Sequence, residues 1–250
     1  MAIAPQGPPS PWLYAITSVA VVSLLSLIGL AAFTADQSRI KRIIFLMVSL
    51  ATGSLFADAT LELLPASYQR SGAEAGLWVL AGIYVFFLLE RLLHWRHGHS
   101  LQGTAFGYLN LAADAIHNFT DGAIIGAAYL AGIPIGISTT VAVIAHEIPH
   151  ELGNFFVLLY AGFSRTRALF YNLLSALFAI AGAVLALIVG SRAARFADFM
   201  LPFAAGGFLY IAGSDLLPEL QKEATLPKSM LQLAAMGFGA GIIWFLGRIT

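Results

Sequence analysis

No cysteine occurs anywhere in the 250 residues. That excludes a disulfide framework and any thiolate metal site, so a bound metal must use imidazole, carboxylate, amide, backbone or water ligands. Charge is the second scarcity. Asp, Glu, Lys and Arg make up 10% of the chain, against about 25% in a soluble domain. The 13 basic and 13 acidic residues cancel, which leaves no basic excess to attract nucleic acid. No G-x-x-x-x-G-K-[ST] run is present, so no nucleotide is expected as partner or energy source. The stretch Met1-Ala2-Ile3-Ala4-Pro5-Gln6-Gly7-Pro8-Pro9 lacks the basic segment that opens a cleaved signal peptide, and the first apolar run is expected to stay in the membrane.

What the chain has in quantity is apolar length: 59% of it is hydrophobic. A spanning helix needs roughly 20 apolar residues. Eight such runs are expected, over 13–34, 42–65, 74–95, 104–131, 134–161, 166–190, 197–219 and 227–248. Little chain remains for loops, so residues 1–250 are expected to form one all-α, polytopic transmembrane domain with no soluble appendage. With the N-terminus outside, the inner loops carry Arg39, Lys41, Arg42, Arg91, Arg96, Arg165, Arg167, Lys222 and Lys228, and the outer segments carry Arg70, Arg192, Arg195 and Arg248. The positive-inside rule therefore favours both termini outside. Within the spans, Asp58-Ala59-Thr60-Leu61-Glu62-Leu63-Leu64-Pro65 aligns with Ile211-Ala212-Gly213-Ser214-Asp215-Leu216-Leu217-Pro218. The two segments lie in helices of opposite direction, as an inverted repeat of helices 1–3 and 6–8 around a central pair requires.

Eight acids, Asp58, Glu62, Asp114, Asp121, Glu147, Glu151, Asp215 and Glu219, fall within the spans or their last turn, and no Lys or Arg lies at comparable depth. One acid at a helix centre costs about 2.5–3.5 kcal/mol, and several cost on the order of 10 kcal/mol. Protonation, water or a bound cation must offset that. Protonated acids acting as interhelical glue are one solution. Their number, and the histidines beside them, favour cations, and an acid-lined interior draws cations and rejects anions. Asp58, Glu62, Asp114, Asp215 and Glu219 are accordingly candidate path residues. Asn172 on the sixth span is a further candidate, with ordinary interhelical hydrogen bonding as its alternative.

Two clusters concentrate the chemistry. His117-Asn118-Phe119-Thr120-Asp121-Gly122 lies in the fourth span and His146-Glu147-Ile148-Pro149-His150-Glu151 in the fifth. Positions i, i+3 and i+4 share a helix face. Asp114, His117, Asn118 and Asp121 therefore form one stripe, and His146, Glu147, His150, Glu151 and Asn154 another. A short link around Gly132–Gly136 makes the two helices antiparallel neighbours. Imidazole and carboxylate suit zinc, iron and manganese. The donors outnumber the needs of one tetrahedral ion, which favours two metals or a path of successive sites. Asn118 reads either as a ligand or as an orienter of one. Pro149 is expected to kink its helix and free the Ala145 carbonyl, and Pro65 and Pro218 to act likewise. Gly122, Gly126 and Gly153 read as close-contact residues. His94, His97 and His99 read as metal collectors at the cytoplasmic mouth or as solvated surface.

His146-Glu147-x-x-His150 also satisfies H-E-x-x-H, the pattern of a zinc metalloprotease, which makes an intramembrane protease the alternative. That scheme interrupts its helix with proline and leaves the His117–Asp121 stripe unexplained. The paired motifs, with His146 to Gly153 reading HEIPHELG, resemble the ZIP family of zinc and iron transporters, and most of all its subfamily with HEIPHE in the fifth helix. The resemblance implies eight spanning helices in a 3+2+3 arrangement and a binuclear centre between helices 4 and 5. It implies no enzymatic activity and no catalytic cofactor, but import of a divalent metal, zinc first, with iron, manganese or cadmium as further candidates. Carried over by motif, His117, Asn118 and Asp121 are ligands on helix 4, and His146, Glu147 and His150 on helix 5, with Glu151 beside them. The flanking repeats are expected to shift against the central pair during transport. A prokaryotic plasma (inner) membrane is the expected location. The sequence leaves oligomeric state open, a homodimer included.

Overall fold

The computed structural model describes residues 10–33, 37–97, 104–192, 195–222 and 225–249, and regular structure among them is entirely helical. Helix α1 (Pro11–Leu24) continues as a 3₁₀ segment, Leu25–Phe33. Helix α2 (Gln37–Ala57) passes through a π segment, Asp58–Leu63, into a last α stretch, Leu64–Ser71. Helices α3 (Glu74–His97), α4 (Thr104–Ala131) and α5 (Ile133–Tyr160) follow. Helix α6 has two parts, Arg165–Ala176 and Phe178–Arg192. Helix α7 (Phe196–Tyr210) again enters a π segment, Ile211–Leu216, before Leu217–Gln221, and α8 is Leu226–Ile249. These eight runs lie over the eight predicted ones. Five, Pro11–Leu30, Arg42–Ser71, Arg165–Arg192, Phe196–Gln221 and Leu226–Ile249, are long and apolar enough to cross a membrane. Of the remaining runs, α4 and α5 carry the acids and histidines of the two motifs, which lower their hydropathy.

The prolines act in two different ways. Pro65 and Pro218 each stand two residues beyond a π segment, and the N–H groups of Leu64 and Leu217 reach back to the carbonyls of Ala59 and Ala212. A proline cannot donate to the carbonyl one turn earlier. Widening the preceding turn to the i→i−5 pattern accommodates that loss. Pro149 differs from these two in that Ile133–Tyr160 is one α-helix through it, with no π segment before the proline. The aligned segments thus share a backbone irregularity that their residue match alone does not reveal.

Close helix crossings are built on paired glycines. A Cβ on Gly53 would meet the Met236 carbonyl, and one on Gly239 the Leu50 carbonyl, where α2 crosses α8. Gly82 and Gly206 do the same against Phe203 and Val79 where α3 crosses α7, and Gly122 and Gly182 against Ala179 and Phe119 where α4 crosses α6. With little hydrophobic drive between helices in lipid, close backbone approach supplies the attraction. Gly53 and Gly206 each stand twelve residues before their proline, so the α2–α8 and α3–α7 crossings exchange under the predicted correspondence. Gly126 also touches α6, at Ala183 and Ala186, whereas Gly153 has no atom within 4 Å of a would-be Cβ. Gly153 is therefore not a contact residue.

The contacts divide the helices otherwise than the sequence suggests. Helices α1, α4, α5 and α6 adhere in one bundle, and α2, α3, α7 and α8 in another. Contacts between bundles run chiefly from α2 to α5 and from α4 to α7. Each predicted repeat thus gives one helix to the bundle of the central pair and two to the other bundle.

Candidate metal centre

Helices α4 and α5 are joined by Gly132 alone, in extended conformation with φ 168. Such a link forces the two helices antiparallel and brings their polar stripes face to face. Four side chains then close a ring. His117 Nε2 lies 3.2 Å from Glu147 Oε1 and 3.5 Å from Asp121 Oδ2. His146 Nε2 lies 3.1 Å from the same Asp121 oxygen and 3.4 Å from the same Glu147 oxygen. Nitrogen and oxygen alternate around the ring. A tetrahedral ion with ligands at about 2.0–2.1 Å has edges of roughly 3.3 Å, which these four distances bracket. The ligand atoms of all four groups lie within 4.8 Å of one another, so closing on a tetrahedral ion requires only that the diagonals shorten.

The electrostatics favour a dication. Asp121 and Glu147 are fully buried, and each keeps one oxygen without a protein partner among the described residues. Two carboxylate charges within 4.8 Å repel by about 3.5 kcal/mol at an effective dielectric near 20. A doubly charged ion between them reverses the sign of that energy. Helix α7 of the other bundle closes one side of the ring, with the buried Phe208 ring 6.2 Å from His146.

The other predicted residues stand around this ring at different removes. His150 is turned away from it: its Nε2 lies 3.1 Å from Asp114 Oδ1, while its ring stacks on His117 with centroids 4.3 Å apart. Ser175 of α6 donates to the second oxygen of Asp114. Asn118 is buried, donates to the Asp114 carbonyl at 3.1 Å and keeps its Oδ1 unpartnered among the described residues. Glu151 faces α6, where Asn172 donates to its Oε2 at 2.6 Å. Asp58 is buried beneath Thr139 of α5, and Glu62 lies against Gly247 of α8. The side chains of His94 and His97, and the whole of His99, lie outside the described residues.

A cavity of about 520 Å³ separates the bundles on one side of the ring. One wall is Asn110, Asp114, His117, His146, Pro149 and His150, with their α4 and α5 neighbours. The facing wall includes Glu90, Tyr210, Asp215 and Glu219. Asp114, Asp215 and Glu219 are thus brought together with the histidines, whereas Asp58, Glu62 and Asn172 are not on this cavity. Asn110, Glu90 and Tyr210 were missed as lining residues. Asn110 was within reach, being one turn before Asp114 on the same stripe and bonded to Asn154 of the facing stripe. Tyr210, which donates to Glu90 at 2.5 Å, carries no local signal.

Comparison with known proteins agrees with this chemistry. The sequence model of the family described as ZIP zinc transporter matches residues 10–105 and 96–247. The human protein named zinc transporter SLC39A7 is 30% identical over 328 aligned positions, covering 93% of this chain and 70% of its own length. Zinc transporter zipt-7.2 of Caenorhabditis elegans is 29% identical, covering 94% and 65%. Zinc transporter ZIP13 of Pongo abelii is 38% identical over 211 positions, covering 77% and 63%. The chain thus spans about two thirds of the length of these relatives.

Proposed function

The chain belongs to the ZIP zinc transporter family, and from that premise we propose that it carries divalent metal ions, zinc foremost, through the membrane into the cytosol. The observation that carries the proposal is the His117–Glu147–His146–Asp121 ring, which lies beside a cavity between two helix bundles. Zinc is named because the relatives' names say zinc and because a ring of two imidazoles and two carboxylates suits it. The centre is binuclear in this reading: the ring holds one ion, and His150 with Asp114, Asn118 and Glu151 supplies a second beside it. Residues 1–250 act as one eight-span transporter unit with both termini outside. Its 3+2+3 inverted repeat is supported by the twin π segments and the exchangeable glycine crossings.

In the proposed orientation the cavity opens inward, since Asp215, Glu219 and the N-terminal part of α2 lie at the cytoplasmic end. Transport then requires the two bundles to part on the outer side and meet on the inner side, and the ring moves with α4 and α5. The positive-inside argument gives the orientation. The relatives quoted are animal proteins.

The protease reading loses its geometric basis. Its scheme needs His146 and His150 on one ion with Glu147 facing water. His150 turns to Asp114 instead, and Glu147 is fully buried between His117 and His146. Zinc uptake into proteoliposomes loaded with a zinc indicator tests the proposal. Wild-type protein should fill them with zinc, and the His146→Ala variant should need a much higher zinc concentration to do so. Empty liposomes alongside cleavage of a membrane peptide would establish the protease instead.

A further inference from the structure

We infer that Arg70 is an outer latch: it holds the two bundles together by gripping the end of α4, and passes to Asp198 when they part. The inference rests on the transporter reading above, in which the outer side must open. Arg70 lies in the last turn of α2, and its Nη2 donates to the Ala131 carbonyl at 2.8 Å. Ala131 is the last residue of α4, in the other bundle. Carbonyls in the last turn of a helix lack helical partners and carry the negative end of its dipole, so a guanidinium suits that position. The grip falls one residue before Gly132, the link between the two ligand-bearing helices. Roughly 15 Å of helix separates it from Asp121. Arg70 therefore does not touch the ring but holds the hairpin that carries it. The contacts between bundles are also unevenly placed. On the outer half, Arg70 to Ala131 and Thr139 to Asp58 cross from one bundle to the other, whereas on the inner half the cavity separates them.

A partner for the open state is already in place. Asp198, in the first turn of α7 and so in Arg70's own bundle, has Oδ1 3.8 Å from Arg70 Nη1, too far for a hydrogen bond. Ser71 Oγ donates to the Asp198 carbonyl at 3.1 Å, which fixes this end of α2 against α7. Arg195 Nε lies 3.8 Å from the second Asp198 oxygen, and Arg195 Nη2 lies 3.7 Å from Glu74 of α3. When α4 withdraws, Arg70 closes the remaining distance of about 1 Å onto Asp198 and is not left unpaired. Arginine suits the exchange because its fork offers separate nitrogens to two acceptors, whereas lysine has one nitrogen. The Arg70 side chain is 37% exposed, so water screens the grip and keeps it weak enough to break and remake in each cycle.

The chain has no cysteine, so one introduced thiol can report on each side. T139C, fully buried at the outer contact, becomes reactive when the bundles part there. I44C, on the cavity wall, is reactive while the inner side is open. Alkylation by a water-soluble maleimide is timed on purified protein in detergent, where the reagent reaches both sides. R70Q should speed T139C labelling about tenfold, the worth of one charge-assisted bond at a partly exposed site, and should not speed I44C labelling. D198N removes the waiting partner and should slow T139C labelling, a change of opposite sign. R70K should act as R70Q does but less strongly, and it decides if R70Q does not fold. An unchanged T139C rate in R70Q, or a rise at both positions, makes Arg70 a surface brace and overturns the latch. A T139C rate that D198N does not slow overturns the exchange, because Asp198 would then only prop Arg70 against Ala131. Failure of the wild-type protein to take up zinc into proteoliposomes would overturn the transporter reading instead.

Discussion

His146 and His150 stand four residues apart in one motif, yet the structure assigns them unequal consequences. His146 Nε2 is a corner of the ring, within 3.1 and 3.4 Å of two buried carboxylate oxygens. Replacing it by alanine removes one of four ligands and leaves Asp121 and Glu147 a donor short. One charge-assisted contact is worth about 1.5–3 kcal/mol, so half-saturating zinc should rise by about 10- to 150-fold. The His150 side chain is 37% exposed and lies outside the ring against Asp114, which keeps its bond from Ser175. His150→Ala should cost less than about tenfold, the effect expected of a neighbouring site or supporting group. Initial rates of zinc uptake against zinc concentration, with calorimetric titration of the purified variants, measure both. Size-exclusion profiles establish that each variant is folded. Equal losses in the two variants would refute the reasoning, because His150 would then ligate the same ion as His146 and the ring would not be the holding geometry.

Other predictions follow from the same geometry. Gly122→Ala drives a methyl into the Ala179 carbonyl and should lower the melting temperature markedly. Gly153→Ala, with nothing within 4 Å, should be neutral or stabilising by up to about 1 kcal/mol through helix propensity; differential scanning fluorimetry in detergent compares them. Ligand histidines bind metal only when deprotonated, so protons compete with zinc at the ring. Half-saturating zinc should climb as pH falls, read from uptake over a series of free zinc concentrations at each pH. Tyr210→Phe removes the bond to Glu90 across α3 and α7 and should cost about 1 kcal/mol of stability while leaving calorimetric zinc binding at the ring intact.

The legible part of this molecule is what depends on neighbours in sequence. Apolar run length located the helices, since a span needs its apolar residues contiguous. The i, i+3, i+4 rule located the stripes, and Gly132 between two runs made them antiparallel. The bundle partition was not legible, because it depends on glycines at crossings such as Gly53 with Gly239 and Gly82 with Gly206, far apart in the chain. A glycine in an apolar run looks the same whether it meets a backbone, as Gly122 does, or open space, as Gly153 does. The π segments were half legible: the prolines predicted an irregularity near Pro65 and Pro218, but Pro149 follows the same logic and has no π segment before it.

The stripe rule also overcounts ligands, and Glu147 and Glu151 show why. They are one turn apart, share a face by the rule, and are both fully buried. Yet Glu147 meets His117 of α4, and Glu151 meets Asn172 of α6. A stripe of i, i+3 and i+4 positions is broad enough to touch two neighbouring helices at once. Which member enters the ring depends on which helix faces it, and α5 lies against both α4 and α6. If Glu151 serves the second ion, its Oε1, unpartnered among the described residues, is the oxygen open to metal, while Asn172 holds Oε2 and sets the direction of the carboxylate. Asn172→Ala would free that carboxylate. It should therefore alter the second zinc equivalent in a calorimetric titration and spare the first; loss of the first would place Glu151 in the ring with His146.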